Sequence, residues 1–267
     1  MDRATFKRFR QIVYEKSGIS LGENKEALVA ARVGKRMRAL SIHDYRSYLE
    51  RVVQDDKGEE IVHLLDAIST NVTSFFRESD HFDFLKRAVS EWLAHGQRRF
   101  RFWSAACSTG EEPYSLAMVL LEAAEGRDID LRILGTDIST RVLDACRAGV
   151  YGEEKIKDVP VTFRGRYFDR LNEGGAVFYA VKKTLKKMTI FKRLNLAMQP
   201  FPMKGPFDAV LCRNVMIYFD NETRGGLVDE IYRLLKHGGY LIIGHAESLM
   251  RLTNRFKLLK PSIYVKQ

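Results

Sequence analysis

The sequence lacks the features that define several protein classes. Its 267 residues hold only three cysteines, Cys107, Cys146 and Cys212, an odd and widely spaced set that suits neither a disulfide framework nor a zinc site. Apolar runs such as residues 117–124 fall far short of the roughly 20 residues that cross a bilayer. Residues 1–10 are charged where a secretory signal would be apolar. We therefore expect a cytoplasmic protein with reduced thiols, no bound metal and no membrane-inserted segment.

Positive charge, by contrast, is abundant. The chain has 44 Lys and Arg residues against 34 Asp and Glu residues, a formal net charge of +10. Such a charge favours an acidic partner. It is compatible with nucleic acid, with anionic lipid and with a glutamate-rich protein surface. Hydrophobic residues make up 45% of the chain, which is enough to build a sizeable core.

The first part of the chain is predicted to be helical. Residues 4–70 place apolar side chains at helical spacing without strand-like alternation, so we expect an N-terminal helical domain at 1–75, followed by a second domain at 76–267. Within the first domain, residues 27–40 predict a helix whose basic face carries Arg32, Lys35, Arg36 and Arg38. That face is either simply solvated or a docking face for an acidic partner.

From residue 99, predicted strands alternate with predicted helices. Strands are expected at 99–106, 131–138, 207–214 and 240–245, and helices at 111–125, 139–149 and 221–239, the last two stopped by glycines. Two short strands, at 256–260 and 262–266, close the chain. This alternation is typical of an α/β fold with a doubly wound sheet, which carries helices on both faces.

Residues 150–195 interrupt the alternation. Strand-like segments flank a turn at Asn172, Gly174 and Gly175, which predicts a small antiparallel β insertion. The insertion carries 11 Lys and Arg residues against 5 Asp and Glu residues, so it forms a second basic surface.

The turn after the first strand indicates which cofactor fits the sheet. Residues 105–113 lack the G-x-G-x-x-G pattern of a pyrophosphate site and carry Glu111 and Glu112, which would repel phosphate. Asp137 ends the second strand, where a carboxylate can accept both hydroxyls of a ribose. These acids together favour S-adenosylmethionine over NAD or ATP. Alone, each has a plainer explanation, as a helix-dipole partner or a helix N-cap.

Six motifs then point to a family. In order and spacing, the chain resembles the CheR-type chemotaxis methyltransferases over nearly its whole length, in STNVTSFFRE (69–78), FWSAACSTGEEPYSLAM (102–118), TDIS (136–139), RLNL (193–196), FDAVLCRNVMIYF (207–219) and HGGYLIIGHAESL (237–249). The resemblance implies an S-adenosylmethionine-dependent methyltransferase sheet that bears an all-helical N-terminal domain and a small antiparallel insertion. It also implies methylation of glutamate side chains on bacterial chemoreceptors, with S-adenosylhomocysteine as the second product.

The same resemblance implies the residues of the site. Those expected to contact the cofactor are Asn71, Thr73, Arg77, Glu111 or Glu112, Asp137, Asn195, Leu196, Arg213 and Asn214. Tyr218 and Arg77 are the expected catalytic residues. Tyr218 follows Asn214 by four residues at the carboxyl end of a predicted strand, where it either orients the substrate carboxylate or serves as a packing residue, and Arg77 can attract that carboxylate. His245 and Glu247, at the end of another predicted strand, are further candidates. A glutamate with its usual pKa of about 4.3 is already ionised at neutral pH, so it needs no general base.

Two other functions compete with this prediction. The net charge also suits a nucleic-acid methyltransferase, although RNVMIYF replaces the Asn/Asp-Pro-Pro-Tyr/Phe pattern of amino methyltransferases. A non-catalytic signalling module that binds the cofactor is the second alternative. We expect a monomer that docks chemoreceptor helices through residues 27–40 and does not bind nucleic acid; docking of a receptor segment on the insertion stays open.

Overall fold

The N-terminal residues form a bundle of short amphipathic helices. The computed structural model describes residues 1–250 and 252–267. Its first helices are α1 (Arg3–Ser17), α2 (Glu26–Ala39), α3 (Tyr45–Val53) and α4 (Glu59–Ile68). The Asp2 carboxylate caps α1 by accepting the Thr5 amide over 2.9 Å, and Gly18 ends the helix at φ +69°. The apolar faces of these four helices meet around Phe9 and Leu64, which are both fully buried.

An ion pair joins three helices of this bundle. The Glu60 carboxylate on α4 accepts hydrogen bonds from Arg36 on α2, over 2.9 and 2.7 Å, and from the Tyr48 hydroxyl on α3, over 2.9 Å. Burial by itself would raise the pKa of Glu60, but these hydrogen bonds lower it, so the carboxylate is charged at neutral pH. Arg32 donates to the Ile68 carbonyl. Two of the four basic side chains predicted to form a docking face therefore hold the bundle together.

The rest of the chain forms a seven-stranded mixed sheet and a separate three-stranded sheet. The strands are β1 (Arg99–Ala105), β2 (Asp130–Asp137), β3 (Val150–Gly152), β4 (Phe168–Glu173), β5 (Ala176–Val181), β6 (Thr189–Arg193), β7 (Phe207–Cys212), β8 (Leu235–Ile243), β9 (Phe256–Lys260) and β10 (Ile263–Lys266). The large sheet has the order β6-β2-β1-β7-β8-β10-β9. Its first five strands are parallel, and β10 pairs antiparallel with β8 and β9.

Helices cover both faces of this sheet. They are α5 (Ser79–Ala94), α6 (Glu111–Ala124), α7 (Thr140–Ala148), α10 (Lys183–Lys186) and α11 (Asn221–Leu234), whereas the short helices α8 (Glu153–Ile156) and α9 (Val161–Tyr167) contact the three-stranded sheet. Successive side chains of β1 enter opposite cores, since Phe102 packs with the α6 side and Trp103 with the α11 side. The doubly wound α/β architecture predicted from the sequence is confirmed.

Two local predictions need correction. The strand Thr189–Arg193, expected within the antiparallel insertion, pairs parallel with β2 as the edge of the large sheet, so the three-stranded insertion sheet spans only 150–181. Helix α11 ends at Leu234, before the expected glycine stop, because Leu235 is buried and pairs with Phe207. Gly238, at φ +72°, lies inside β8. In each case long-range strand pairing outweighs the local signal.

The predicted limits of α7 agree with the structure. The Ser139 hydroxyl caps α7 and Gly149 ends it at φ +56°, as expected. Cys107, Cys146 and Cys212 are buried and free. Among the helices of the described residues, none combines the length and the apolar character needed to cross a membrane.

Candidate functional site

A cavity of about 460 Å³ lies between the helical bundle and the carboxyl edge of the large sheet. One wall comes from residues 17–32 of the bundle, and the opposite wall from the ends of β1, β2, β6 and β7. The carboxyl ends of parallel strands are where α/β sheets bind ligands, and the volume is that of a small-molecule pocket. The segment 69–77, which links the two parts of the chain, closes a third side.

The β1–α6 turn approaches this cavity in an unusual conformation. Ala106 and Ser108 have φ values of +63° and +48°, and Gly110 has +97°. A Cβ atom on Gly110 would lie 2.9 Å from the Tyr151 hydroxyl and 3.1 Å from the Cys146 sulfur, so only glycine fits there. This turn places Ala106, Cys107 and Ser108 on the cavity wall.

Asp137 lies at the end of β2, on the cavity wall. Its Oδ2 accepts the backbone N–H of Ser108 over 2.9 Å, and its Oδ1 accepts that of Ser139 over 3.0 Å. Burial raises the pKa of this carboxyl, although the backbone donors oppose the shift. A carboxylate has about four acceptor positions, so each oxygen retains capacity for one further donor, such as a ribose hydroxyl.

The two adjacent glutamates of the first α6 turn have different surroundings. Glu112 lines the cavity, and its Oε1 accepts the Ser104 hydroxyl over 2.6 Å. Glu111 is fully buried and does not line the cavity; its carboxylate accepts from Lys155, over 2.9 Å, and from the Thr109 hydroxyl, over 2.6 Å. The sequence left open which of the two contacts the cofactor, and only Glu112 is placed to do so.

Arg213 follows β7 and connects three segments around the cavity. Its guanidinium pairs with Glu112 over 2.8 Å and with Glu78 over 3.0 Å, and it donates to the Arg77 carbonyl. It also lies over the Phe82 ring, 5.6 Å from the centroid. Burial raises the pKa of Glu112 despite this pairing. Burial by itself would also raise the pKa of Glu78, but the attraction of Arg213 and the hydrogen bonds from Arg213 and Asn214 together lower it.

Arg77 contrasts with Arg213. It lines the cavity and donates to the Val72 carbonyl over 3.1 Å, and within residues 1–250 and 252–267 no carboxylate lies within salt-bridge distance of it. Asn71 and Thr73 line the same wall, and the buried Nδ2 of Asn71 has no hydrogen-bond partner among the described residues. This linker therefore offers one free cation and one free donor to a ligand.

The remaining predicted residues come from the ends of β6 and β7. Asn195 and Leu196 line the cavity, and the Asn195 amide donates to the Lys16 carbonyl of α1 over 2.8 Å. Asn214 adopts φ +58° on the cavity wall. Tyr218, also on the wall, ends a short 3₁₀ turn, and its carbonyl accepts the Ser20 amide of the helical domain over 2.8 Å. Every predicted site residue except Glu111, His245 and Glu247 thus meets at one cavity.

Two further carboxylates position these side chains, and their long-range contacts have no signal in the local sequence. Glu247 accepts three backbone N–H groups, those of Asn214, Met216 and Gly244, each within 2.8 Å. Glu78 lies inside the quoted motif at 69–78, but its bond to Arg213 has no local signal. The wall formed by residues 17–22 also had no sequence signal, because it depends on how the domains pack.

Two family models match the chain. "CheR methyltransferase, SAM binding domain" matches residues 71–265, and "CheR methyltransferase, all-alpha domain" matches residues 4–69. A chemotaxis protein methyltransferase of Borreliella burgdorferi is 38% identical, over 97% of this chain and 93% of that protein. One from Escherichia coli is 37% identical over 98% and 90%. The chain is thus similar to whole curated proteins.

Two solved structures show a more distant similarity. Magnesium protoporphyrin IX methyltransferase from Synechocystis PCC 6803 with bound SAM covers 84% of this chain and 98% of its own, at 16% identity and a TM-score of 0.38. A TehB-like SAM-dependent methyltransferase from Corynebacterium glutamicum covers 71% and 96%, at 14% identity and a TM-score of 0.38. Similarity at this level does not bear on activity.

Replacing Arg213 by Met tests the buried ion network. Without the guanidinium, Glu112 remains buried and uncompensated, so we expect the free energy of unfolding at pH 8 to fall by about 3–5 kcal/mol. Burial already raises the pKa of Glu112. A group whose pKa is higher in the folded state than in the unfolded state contributes stability at low pH, and that contribution is lost as the pH rises. The loss of unfolding free energy in Arg213→Met should therefore be smaller toward pH 5. Urea unfolding at both pH values measures this.

Arg77→Met is the matched control, because it removes a second cavity arginine that has no carboxylate partner within the described residues. We expect a loss below about 1 kcal/mol. Equal losses in the two variants would show that the ion network is not what stabilises this wall.

Proposed function

The chain belongs to the CheR methyltransferase family and is a protein-glutamate O-methyltransferase that acts on chemoreceptors with S-adenosylmethionine, and we propose that the cavity between the helical domain and the sheet is where it does so. The observation that carries this proposal is that motif residues from both domains line a single cavity. The nucleic-acid methyltransferase and the non-catalytic module are not favoured by these relatives. The domain boundary at residue 75, the cytoplasmic location and the monomeric state stay predictions.

The cavity residues fit the two ends of the cofactor. Asp137 offers free acceptor positions for ribose hydroxyls, as described above. At the other end, the Arg77 guanidinium and the unpartnered Asn71 Nδ2 suit a carboxylate, and Glu112 is the acid that faces the cavity there. Thr73, Asn195, Leu196, Arg213 and Asn214 complete the proposed walls.

Asp137→Asn should weaken S-adenosylhomocysteine binding at pH 7.5 by about 1–3 kcal/mol, because one charged acceptor is lost. Burial raises the pKa of Asp137 above its ordinary 3.8. Lowering the pH through that raised value protonates the wild-type carboxyl, so wild-type affinity should fall on acidification while the variant changes less. Calorimetry over a series of pH values from 7.5 down to the lowest at which the protein stays folded checks both effects, and unchanged affinity in a folded variant at pH 7.5 would remove the ribose assignment.

The rate of methyl transfer depends mainly on how the protein positions the glutamate nucleophile against the methyl group. S-adenosylmethionine supplies a sulfonium-bound methyl group, which an ionised glutamate attacks to form a methyl ester while the sulfur leaves as a thioether, without proton transfer. The protein must hold the nucleophile in line and strip it of water, which supplies on the order of 7–11 kcal/mol in the best intramolecular cases. We propose that Arg77 attracts the substrate carboxylate, since its guanidinium lines the cavity and bonds only the Val72 carbonyl among the described residues, and that Tyr218 orients it.

Tyr218→Phe separates an orienting hydroxyl from a packing ring. If the hydroxyl bonds the reacting carboxylate, turnover should fall roughly 10- to 100-fold, equivalent to ~1.4–2.7 kcal/mol of barrier, with cofactor affinity retained. Turnover is measured as base-labile label transferred from radiolabelled S-adenosylmethionine to a chemoreceptor cytoplasmic fragment, with tRNA as the alternative acceptor.

Tyr14→Phe is the control for this experiment, because the Tyr14 hydroxyl bonds Asp220 and does not line the cavity. A Tyr218→Phe enzyme within twofold of wild type would reassign Tyr218 to packing. Label on tRNA and none on the receptor fragment would overturn the proposed function itself.

Receptor docking is proposed for the exposed part of the basic helix. Arg32 and Arg36 are used inside the helical domain, which leaves Lys35 and Arg38 exposed on α2. These two cations can attract a glutamate-rich receptor surface from a distance, since charges steer encounters over about 10 Å at 0.1 M salt.

Reversing both Lys35 and Arg38 to Glu should slow receptor methylation roughly tenfold at ~50 mM salt and much less at ~300 mM, without changing cofactor affinity. Arg170→Glu with Lys183→Glu is the matched control, because it makes the same change of charge at two exposed residues of the insertion. If only the insertion pair slowed methylation, docking would belong to the insertion instead.

A further inference from the structure

Three potential metal ligands meet beside the cavity, and one of them, Glu78, is also a partner of Arg213. Glu78 precedes α5, His81 lies in the first turn of α5, and His245 follows β8. One ligand atom from each lies within 4.8 Å of the others. The sequence showed no metal-ligand spacing because the two histidines are far apart along the chain and only the fold brings them together.

His81 gives the strongest indication that this cluster binds a ligand. Its side chain is fully buried, yet neither ring nitrogen has a hydrogen-bond partner among the described residues. A buried imidazole normally bonds through at least one nitrogen, because an unpaired polar group in the interior is costly. Nδ1 lies 3.4 Å from Glu78 Oε2, and Nε2 lies 4.0 Å from Asp80 Oδ2. Both nitrogens therefore face carboxylates without bonding them.

The distances suit a small tetrahedral ion. Zinc binds imidazole nitrogen at about 2.0–2.1 Å and carboxylate oxygen at about 2.0–2.2 Å, so tetrahedral ligand atoms lie about 3.4 Å apart. The Glu78–His81 pair already has that separation. His245 is half-exposed and can rotate toward the pair, and its ring lies 4.8 Å from that of His81.

The local charge also suits a divalent cation. Glu78 and Asp80 contribute two negative charges, and the Asp80 Oδ1 lies 3.2 Å from His245 Nε2, as an outer-sphere partner of a ligating histidine does. Arg213 opposes a cation here, but Glu112 shares its charge. Two nitrogen ligands and one oxygen ligand favour zinc and its first-row neighbours over magnesium or calcium.

We propose that Glu78, His81 and His245 form a binding site for a divalent transition metal, zinc above all. A metal at this site would draw Glu78 away from Arg213, and Arg213 lines the cofactor cavity. The metal would thereby weaken cofactor binding, a consequence that rests on the proposed function, whereas the metal site itself does not.

The test uses the full chain without a histidine tag, cleared of metal with chelator, and the probes are Zn²⁺ and Co²⁺. Calorimetry should show one Zn²⁺ bound per chain, and Co²⁺ should give the visible absorption of a tetrahedral complex without a thiolate charge-transfer band. His245→Gln should weaken Zn²⁺ at least ~10-fold. His81→Gln should do the same, and if that buried variant does not fold, the half-exposed His245 decides alone.

His237→Gln is the matched control, since His237 is an exposed histidine on β8 outside the cluster. Binding of Zn²⁺ by His245→Gln with wild-type affinity, or equal loss in His237→Gln, would overturn the site. Saturating Zn²⁺ should also weaken S-adenosylhomocysteine about 5-fold or more in wild type, and S-adenosylhomocysteine should weaken Zn²⁺ by the same factor. Metal binding without this reciprocal effect would overturn the coupling and leave the site intact.

Discussion

The buried guanidinium of Arg213 is the interaction on which the cavity depends. It joins the end of β7 to the first turn of α6 through Glu112 and to the linker before α5 through Glu78. A charge taken out of water is tolerated only where opposite charges and hydrogen bonds replace the lost hydration. Because all of these partners are needed at once, the three segments have little freedom to move relative to one another. The carboxylate of Glu247 fixes the following turn by the same logic, through three backbone amides.

Arg213 and Arg77, two of the arginines that line the cavity, have different surroundings. Arg213 is neutralised by Glu112 and Glu78 inside the protein, whereas Arg77 has no carboxylate partner in the described part of the chain, so under the proposed function its charge is available to a ligand. An ionised carboxylate nucleophile has no proton to lose, so shape and charge around it matter more than acid–base groups. The proposed site would therefore need no histidine, and none lines the cavity within residues 1–250 and 252–267.

Much of this was predictable from local sequence, and the failures have a common cause. Ser139 and Gly149 delimit α7 as expected, because caps and glycine stops act within a few residues. The strand at 189–193 and the end of α11 were misplaced, because pairing with β2 and β7 decides them. The motifs together predicted most of the residues that line the cavity. They could not distinguish Glu111 from Glu112, because that distinction depends on the long-range hydrogen bond from Lys155 to Glu111. The grouping of Glu78, His81 and His245 is likewise a property of the fold alone.

The cavity straddles the seam between the two family domains, and this has a consequence for modularity. Two hydrogen bonds connect its walls. The Asn195 side-chain amide donates to the Lys16 carbonyl, and the Ser20 backbone amide donates to the Tyr218 carbonyl. Each domain therefore carries only part of the pocket. Exchanging one domain alone between homologues would pair two walls that do not match. A chimera keeps its pocket only if both faces of the seam are inherited together, so the two domains are constrained to evolve as one recombination unit.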